Sequence, residues 1–204
     1  MSIENLRNEI LGINQISEEY KRKMCHQVPD APVVDRVKFI LERCKEKTVL
    51  NLGCASGDLH KIIGQVTRSL HGIDKVVCGH AEYAGCERFD LDDIQETELP
   101  WFNNTAFDLV VIGEVLEHLG NPGFLLHRLH QYQAPLLITV PNCFSVHGTK
   151  NMQKGVENVN IAHTMWFSWR TLKTLVERYN YDIKEWAWYH GDPLFAEGLV
   201  FVVR

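Results

Sequence analysis

Residues 49–58 read VLNLGCASGD, a mostly apolar run that ends in two closely spaced glycines. The first part is typical of a short buried strand. Glycines at positions 53 and 57 allow a sharp turn and let a ligand approach the main chain without meeting a Cβ atom. The pattern predicts a strand, a tight turn and a helix whose first N–H groups face a ligand.

The glycine spacing bears on the kind of ligand. A nicotinamide or flavin site needs GxGxxG after the strand. Here three residues separate Gly53 from Gly57, and Ala55 stands where a middle glycine is common. The spacing therefore disfavours a dinucleotide site. A tight turn without any ligand is the simplest alternative for this stretch taken alone.

Two aspartates follow the turn at the predicted ends of the next two strands. Asp74 closes the run HGID, and Asp90 precedes Leu91 in the run RFDLDD. The carboxylate of Asp74 can accept hydrogen bonds from both hydroxyls of a ribose. The carboxylate of Asp90 can accept a hydrogen bond from the exocyclic amine of adenine while Leu91 packs on the adenine ring. Together with the turn, these residues predict one site for an adenosine-containing ligand.

Apolar periodicity predicts an α/β domain. Strands are expected over 48–52, 69–73, 87–90, 107–112, 136–140, 183–188 and 199–202, and helices over 59–66, 121–131 and 169–179, the last capped by Ser168. Pro32 is expected in the first turn of another helix, which would carry Val33 on its apolar face. The alternation predicts a seven-stranded, mostly parallel sheet with helices on both faces and an antiparallel C-terminal hairpin.

The chain is expected to form a single domain over residues 1–204, because no linker or repeat divides it. Apolar residues at helical spacing predict an amphipathic helix near the N-terminus, within 1–30. The segment 142–164 has no clear periodicity. A loop this long in a compact domain is usually functional or mobile.

Five motifs in this order, VLNLGCASG, HGID, RFDLDD, FDLVVIGEVLEHL and LLITVPN, resemble the successive motifs of class I S-adenosylmethionine-dependent methyltransferases. The likeness covers about residues 35–204 and is strongest to ubiquinone-biosynthesis O-methyltransferases and to natural-product and glycan methyltransferases. It implies a Rossmann-like class I methyltransferase fold and S-adenosylmethionine as cofactor. Helices at the N-terminus of similar enzymes form a lid over the site. Here the lid would consist of residues 1–30, which include Tyr20.

The resemblance also implies which residues contact the cofactor. The turn would flank the methionine part, Asp74 would bind the ribose, and Asp90 and Leu91 would bind the adenine. Gly113 and Glu114 would lie beside the sulfonium. The expected cofactor-binding set is Gly53, Cys54, Ala55, Gly57, Asp74, Asp90, Leu91, Gly113 and Glu114.

Glu114, Glu117 and His118 form an ExxEH pattern after the fourth predicted strand. If a helix spans them, positions i, i+3 and i+4 share one face. One hypothesis is a divalent-metal site completed by His163, as the resemblance to ubiquinone enzymes and small-RNA 2′-O-methyltransferases implies. A second is that His118 or His163 is a general base. A third is that the segment only begins the next helix.

Catalytic candidates are therefore His163, His118 and Glu117, and metal-ligand candidates are Glu114, Glu117, His118 and His163. The expected reaction is methyl transfer to an oxygen, or less favourably a nitrogen, of a small-molecule or sugar acceptor bound by the segment 142–164. The alternatives are a metal-dependent RNA 2′-O-methyltransferase and a non-catalytic module that binds the cofactor.

Composition bears on partners and location. The chain has 204 residues and a formal net charge of −5, which disfavours nucleic acid as a partner. Its six cysteines include no CxxC pair, so free thiols in a reducing compartment are expected. The N-terminus shows no signal-peptide pattern, and no apolar run is long enough to span a bilayer. Together these features predict a cytoplasmic protein.

Overall fold

The computed structural model describes residues 27–76, 86–88, 102, 105–157 and 159–204. Within these residues eight strands form one sheet in the order β1-β7-β8-β6-β5-β2-β3-β4. The strands are β1 Val33–Val34, β2 Thr48–Leu52, β3 Ser69–Asp74, β4 Cys86–Arg88, β5 Leu109–Gly113, β6 Leu136–Pro141, β7 Ile183–Tyr189 and β8 Gly198–Val203. Most neighbours are parallel, and β8 pairs antiparallel with both β6 and β7. The predicted Rossmann-like sheet and its antiparallel C-terminal pair are confirmed.

The sheet has one strand more than predicted because Val33 and Val34 form β1 instead of a helical turn. They pair in parallel with Trp188 and Tyr189 of β7. The prediction that Pro32 begins a helix with Val33 on its face is therefore wrong. The helix begins after Asp35, whose side chain accepts a hydrogen bond of 2.8 Å from the backbone N–H of Lys38. An N-cap aspartate sets this boundary more strongly than the preceding proline does.

Helices cover both faces of the sheet, as predicted. They are α1 Arg36–Cys44, α2 Asp58–Gly64, α3 Pro122–His130, α4 Val146–Met152 and α5 Trp169–Arg178. Ser168 caps α5 in a reciprocal capping box with Thr171, which confirms the predicted N-cap. The short helix α4 lies in the segment 142–164 and was not predicted, since none of its residues is buried and an apolar stripe is therefore absent.

Two apolar clusters form the core, one on each face of the sheet. Successive residues of β5 alternate between them, with Val110 in the first and Val111 in the second. The first cluster includes residues of α3 and α5, and the second includes residues of α1 and α2. Because both faces of β5 and β6 are covered, these strands are almost continuously apolar and buried.

The strand order places a crevice at one edge of the sheet. The chain runs outward from β2 to β3 and β4, and then returns to β5 on the other side of β2. Ligands of open α/β sheets bind at such a reversal, beyond the carboxyl ends of the strands. The glycine-rich turn after β2, Asp74 at the end of β3 and Glu114 after β5 all lie at this edge.

Two further observations concern the described part of the chain. None of its helices has the length and apolar character that a membrane span requires. Its cysteines, at positions 44, 54, 86 and 143, are all free thiols, as predicted for them. Most of the predicted N-terminal lid (residues 1–26, with Tyr20), Cys78, Asp90 and Leu91 lie outside the described residues.

Candidate functional site

The glycine-rich turn after β2 uses the left-handed backbone region repeatedly. Gly53 has φ of 80° and Gly57 has φ of 83°. A Cβ atom on Gly53 would lie 2.1 Å from Cγ2 of Val115, so a side chain is excluded there. The backbone N–H of Gly53 also donates to the carbonyl of Ile73 at 2.7 Å. The turn is thus held against the end of β3 by its own main chain.

Asp74 joins the turn to the end of β3. Its Oδ2 accepts a hydrogen bond of 2.7 Å from the backbone N–H of Ala55, and its Oδ1 accepts one of 2.8 Å from that of Val76. Each carboxylate oxygen can accept more than one hydrogen bond, so both keep capacity for ribose hydroxyls. Asp74 therefore shapes the turn as well as facing the space beside it.

A cavity of about 340 Å³ lies between the turn and the strand ends. It is lined by Gly53, Ala55, Asp74, Lys75, Glu114, Val115, His118, Leu119 and Ala162. Four of the residues predicted from the sequence to bind one ligand, at positions 53, 55, 74 and 114, thus line a single cavity. Two carboxylates in its wall match a cofactor that carries a sulfonium and an ammonium group.

Glu114 does not lie on a helix with Glu117 and His118. It has φ of 56°, and a single 3-10 turn, Leu116–His118, follows it. Its Oε1 accepts hydrogen bonds of 2.8 Å from the hydroxyls of Thr139 and Tyr189, and Nη1 of Arg36 lies 3.5 Å away. Because the left-handed residue turns its side chain toward the sheet, the expectation that all three side chains of ExxEH share a helical face is wrong for Glu114.

Glu117, His118 and His163 form the cluster that the ExxEH pattern predicted in part. One ligand atom from each lies within 4.8 Å of the others, and the two imidazole rings meet edge to face at 4.6 Å. Thr164 holds the His163 segment in place: its N–H donates to the carbonyl of Glu117 at 2.8 Å and its hydroxyl to that of Leu119 at 2.7 Å. Two distant segments of the chain are thereby joined.

Glu117 is unusual among the carboxylates that the structure describes. It is 2% exposed, and neither of its carboxylate oxygens has a hydrogen-bond partner among the described residues. Burial, and secondarily the charge of Glu114, raise its pKa to about 8. A buried carboxyl without partners is costly, so this group is suited to a bound cation.

The two histidines of the cluster can each offer a ring nitrogen to a metal ion. Nδ1 of His118 lies 3.2 Å from the carbonyl oxygen of Ala162. Because a carbonyl only accepts, Nδ1 is the donor, and Nε2 is the ring nitrogen available to a ligand. Metal-ligating histidines usually donate their other N–H in this way. Burial, and then the neighbouring His118, lower the pKa of His163, which favours its neutral form. One carboxylate and two neutral imidazoles are a common ligand set for divalent metals.

A second cavity, of about 180 Å³, adjoins this cluster. Its wall contains Glu117 and His163, with Asn142 and Cys143 after β6, residues of α4 and the segment Met165–Phe167. His118 lines the first cavity instead. The three side chains of the cluster therefore border both cavities, Glu117 and His163 the second and His118 the first.

Comparison with known proteins places the chain in a family. A family model described as a methyltransferase domain matches residues 18–185. The chain belongs to this methyltransferase family. No curated protein matches its sequence significantly. The predicted methyltransferase activity is confirmed at the level of this family.

Solved structures share the fold of the methyltransferase at low identity. An S-adenosylmethionine-dependent methyltransferase from Mesorhizobium loti has a TM-score of 0.57 at 14% identity, over 82% of this chain and 95% of the other. Magnesium protoporphyrin IX methyltransferase from Synechocystis PCC 6803, with bound SAH, has 0.58 at 14%, over 82% and 80%. The small RNA methyltransferase HEN1 has 0.64 at 13%, over 88% of this chain but only 27% of HEN1.

Three residues of the methyltransferase site were not predicted from the sequence: Arg36, Thr139 and Tyr189, which all contact Glu114. Thr139 was within reach of sequence reasoning, since it is a polar residue inside the otherwise apolar strand LLITVP. Arg36 and Tyr189 carried no such signal, because they come from the first described helix and from β7, distant in sequence.

Ala55 offers a stability test of the turn. Its φ is 43°, a region that costs an L-residue roughly 1–2 kcal/mol, so Ala55→Gly should relieve strain. Part of this gain is lost because glycine has more freedom in the unfolded chain. We expect the free energy of unfolding to rise by about 0.5–1 kcal/mol in urea denaturation. Ala134→Gly is the control, since Ala134 has no positive φ and should lose stability instead. An unchanged or lowered stability of Ala55→Gly would contradict the strained turn.

Proposed function

We propose that this methyltransferase transfers the methyl group of S-adenosylmethionine to a hydroxyl oxygen of a small organic or sugar acceptor. The acceptor binds in the cavity of about 180 Å³, and Glu117, His118 and His163 hold a divalent metal beside it. The observation that carries the proposal is the position of these three side chains between the two cavities. The orphaned, buried carboxyl of Glu117 supports a cation there.

The lining of the acceptor cavity supports a small ligand. Met165, Trp166 and Phe167 offer apolar contacts, and Asn160 and His147 offer hydrogen bonds. Binding sites for small molecules combine an apolar wall with a few polar groups in this way. Its described lining residues include no lysine or arginine, so a phosphate-rich acceptor finds no cationic partner in that wall.

Methyl transfer to a hydroxyl requires alignment of the acceptor oxygen and a lowered pKa of that hydroxyl. Methyl transfer needs the acceptor oxygen aligned with the methyl carbon at about 3–3.5 Å, and the adjoining cavities bring the two substrates together. Glu117, His118 and His163 would hold a divalent cation, which would supply Lewis acidity to lower the pKa of an acceptor hydroxyl. Nδ1 of His118, by donating to Ala162, keeps its ring oriented and Nε2 free. The lowered pKa of His163 favours its neutral form, which has a nitrogen lone pair available in the wall of the acceptor cavity.

A second candidate function is 2′-O-methylation of RNA. The fold is similar to that of the small RNA methyltransferase HEN1 over 88% of this chain, and the ExxEH pattern with a later histidine is present in the sequence. The acidic net charge of −5 weighs against this candidate. It predicts methyl transfer to short RNA duplexes that falls steeply as salt concentration rises.

Methyl-labelled S-adenosylmethionine tests these proposals directly. The protein is stripped of metal by exhaustive chelation and assayed, with and without added Mn²⁺ or Mg²⁺, against phenols, sugars, amines and short RNA duplexes. We expect label on a phenol or a sugar, restored at least tenfold by the metal. Full activity after chelation would refute the metal, and label on amines alone would refute the oxygen acceptor. Salt-sensitive label on RNA alone would replace the small acceptor by the second candidate.

A further inference from the structure

A third cavity, of about 320 Å³, lies beside the acceptor cavity. The two cavities share Asn142, and Ser168 in the wall of the third cavity directly follows Phe167 in the wall of the acceptor cavity. An apolar cavity of about 150 Å³ holds one benzene ring, so the acceptor cavity of about 180 Å³ has room for little more than one ring. The third cavity is the adjoining space for the rest of a larger acceptor.

The wall of the third cavity is apolar and mostly aromatic. Its apolar residues are Val28, Phe144, Trp169, Trp188, Leu194 and Phe195. Four of these six are aromatic, and among the described lining residues only Arg170 is charged. Aromatic side chains favour a further ring in offset-stacked or edge-to-face contact, which raises affinity about twofold to tenfold beyond the effect of buried area. The wall therefore suits a ring better than a polar group.

Three side chains of this wall are exposed although they are large and apolar. Phe144 is 59% exposed, Phe195 is 48% exposed and Leu194 is 47% exposed. Leu194 also has φ of 71°, which is an outlier for a bulky residue. Strain of this kind persists where the surroundings enforce it and is common at ligand sites. Large apolar side chains gathered at one place on a surface mark a binding site.

Hydrogen bonds fix the backbone that carries these side chains. The side-chain amide of Asn142, a buried residue, donates to the carbonyl of Leu194 at 3.0 Å and accepts from the N–H of Phe144 at 3.1 Å. The N–H of Val146 donates to the carbonyl of Phe195 at 2.9 Å. The segment after β6 and the loop before β8 are thereby fastened to each other. A ligand that binds between them loses little affinity to the ordering of either segment.

We infer that the third cavity binds an aromatic ring of the acceptor, so that the acceptor is a phenol with a second, planar ring. The hydroxyl-bearing ring lies in the acceptor cavity, whose wall contains Glu117 and His163, and the second ring contacts Phe144 and Phe195. This inference rests on the proposed function for the identity of the first ring. The second ring is recognised by its shape and by aromatic contacts alone.

Phenylphenols and cyclohexylphenols test the inference. The 2-, 3- and 4-isomers of both compounds are titrated by calorimetry into the complex of the protein with S-adenosylhomocysteine, and phenol is the reference. A cyclohexyl ring has as many carbon atoms as a phenyl ring but is neither planar nor aromatic. We expect at least one phenylphenol to bind about tenfold or more tightly than phenol. The same isomer should bind about threefold to tenfold more tightly than its cyclohexyl counterpart.

A double variant, Phe144→Leu with Phe195→Leu, keeps the wall apolar but removes both exposed rings. We expect it to reduce the preference for phenyl over cyclohexyl to less than about twofold. Because both side chains are exposed, the fold should be retained. Phe124→Leu is the matched control, since Phe124 lies on α3 and lines neither cavity. This control should keep the full preference for phenyl.

Each contrary result has a definite meaning. Equal affinities for every phenylphenol and its cyclohexyl counterpart in the wild type would overturn the inference, even if phenol is methylated. A preference for phenyl that survives in the double variant would also overturn it. A wild-type dimer in sedimentation that the double variant dissociates would assign this surface to a second copy of the chain instead. A preference for phenyl that the double variant abolishes, without methylation of any phenol, would support the aromatic site and refute only the proposed function.

Discussion

Asp74→Ala should weaken the binding of S-adenosylmethionine by about 100-fold or more in calorimetry. Two effects combine in this expected loss. The ribose loses a charged acceptor for its hydroxyls, and hydrogen bonds to charged groups contribute about 1.5–3 kcal/mol each. The glycine-rich turn also loses the acceptor that holds the N–H of Ala55, so the cavity wall is less ordered before the cofactor arrives.

Asp74→Asn separates the two effects. Asparagine keeps one oxygen that can accept from Ala55, but its NH₂ group cannot accept from a ribose hydroxyl. We expect a loss about tenfold smaller than that of Asp74→Ala. Asp108 provides the control, because its Oδ2 accepts from the backbone N–H of Thr48 at 2.8 Å, at the opposite end of β2. Asp108→Ala should lower stability but leave cofactor affinity unchanged. An unchanged affinity in Asp74→Ala would refute its assignment to the ribose.

Glu117→Gln is expected to remove the loss of stability that Glu117 causes as pH rises. The pKa of Glu117 is about 8 in the folded protein, against an ordinary value of 4.5, because burial disfavours the charged form. A raised pKa means that the folded state keeps the proton longer than the unfolded chain does. The contribution of Glu117 to stability is therefore intact below pH 4.5 and is lost as pH rises toward 8. The loss is on the order of 4 kcal/mol.

The measurement compares wild type with Glu117→Gln by urea denaturation at pH 5 and pH 8 with a chelator present. Glutamine does not ionise, so the variant should gain stability relative to wild type as pH rises. Adding Mn²⁺ at pH 8 should stabilise wild type and not the variant, because the ionised carboxylate binds the cation. Glu42→Gln, at an exposed side chain, is the control and should change neither result. Equal pH profiles for wild type and Glu117→Gln would contradict the buried, ionisable site.

The cofactor side of the site could largely be predicted from the sequence. Gly53, Gly57 and Asp74 lie within 25 residues of one another, and a strand, a turn and the next parallel strand bring them together by local rules alone. The acceptor side could not be predicted in this way. His163 meets His118 because Thr164 bonds to Glu117 and Leu119 and because the carbonyl of Ala162 contacts Nδ1 of His118. No periodicity in 142–164 indicates these contacts.

The sequence by itself determined the class of fold, the family and the position of the glycine-rich turn, because these follow from apolar periodicity and from the conformational needs of glycine. Only the tertiary structure decided where the carboxylate of Glu114 lies and which residues it contacts. Spacing alone grouped it with Glu117 and His118, but the left-handed backbone at Glu114 and the hydroxyls of Thr139 and Tyr189 draw its carboxylate toward the sheet. Such contacts join β5, β6 and β7, and strands that are distant in the chain meet only when the whole sheet has formed.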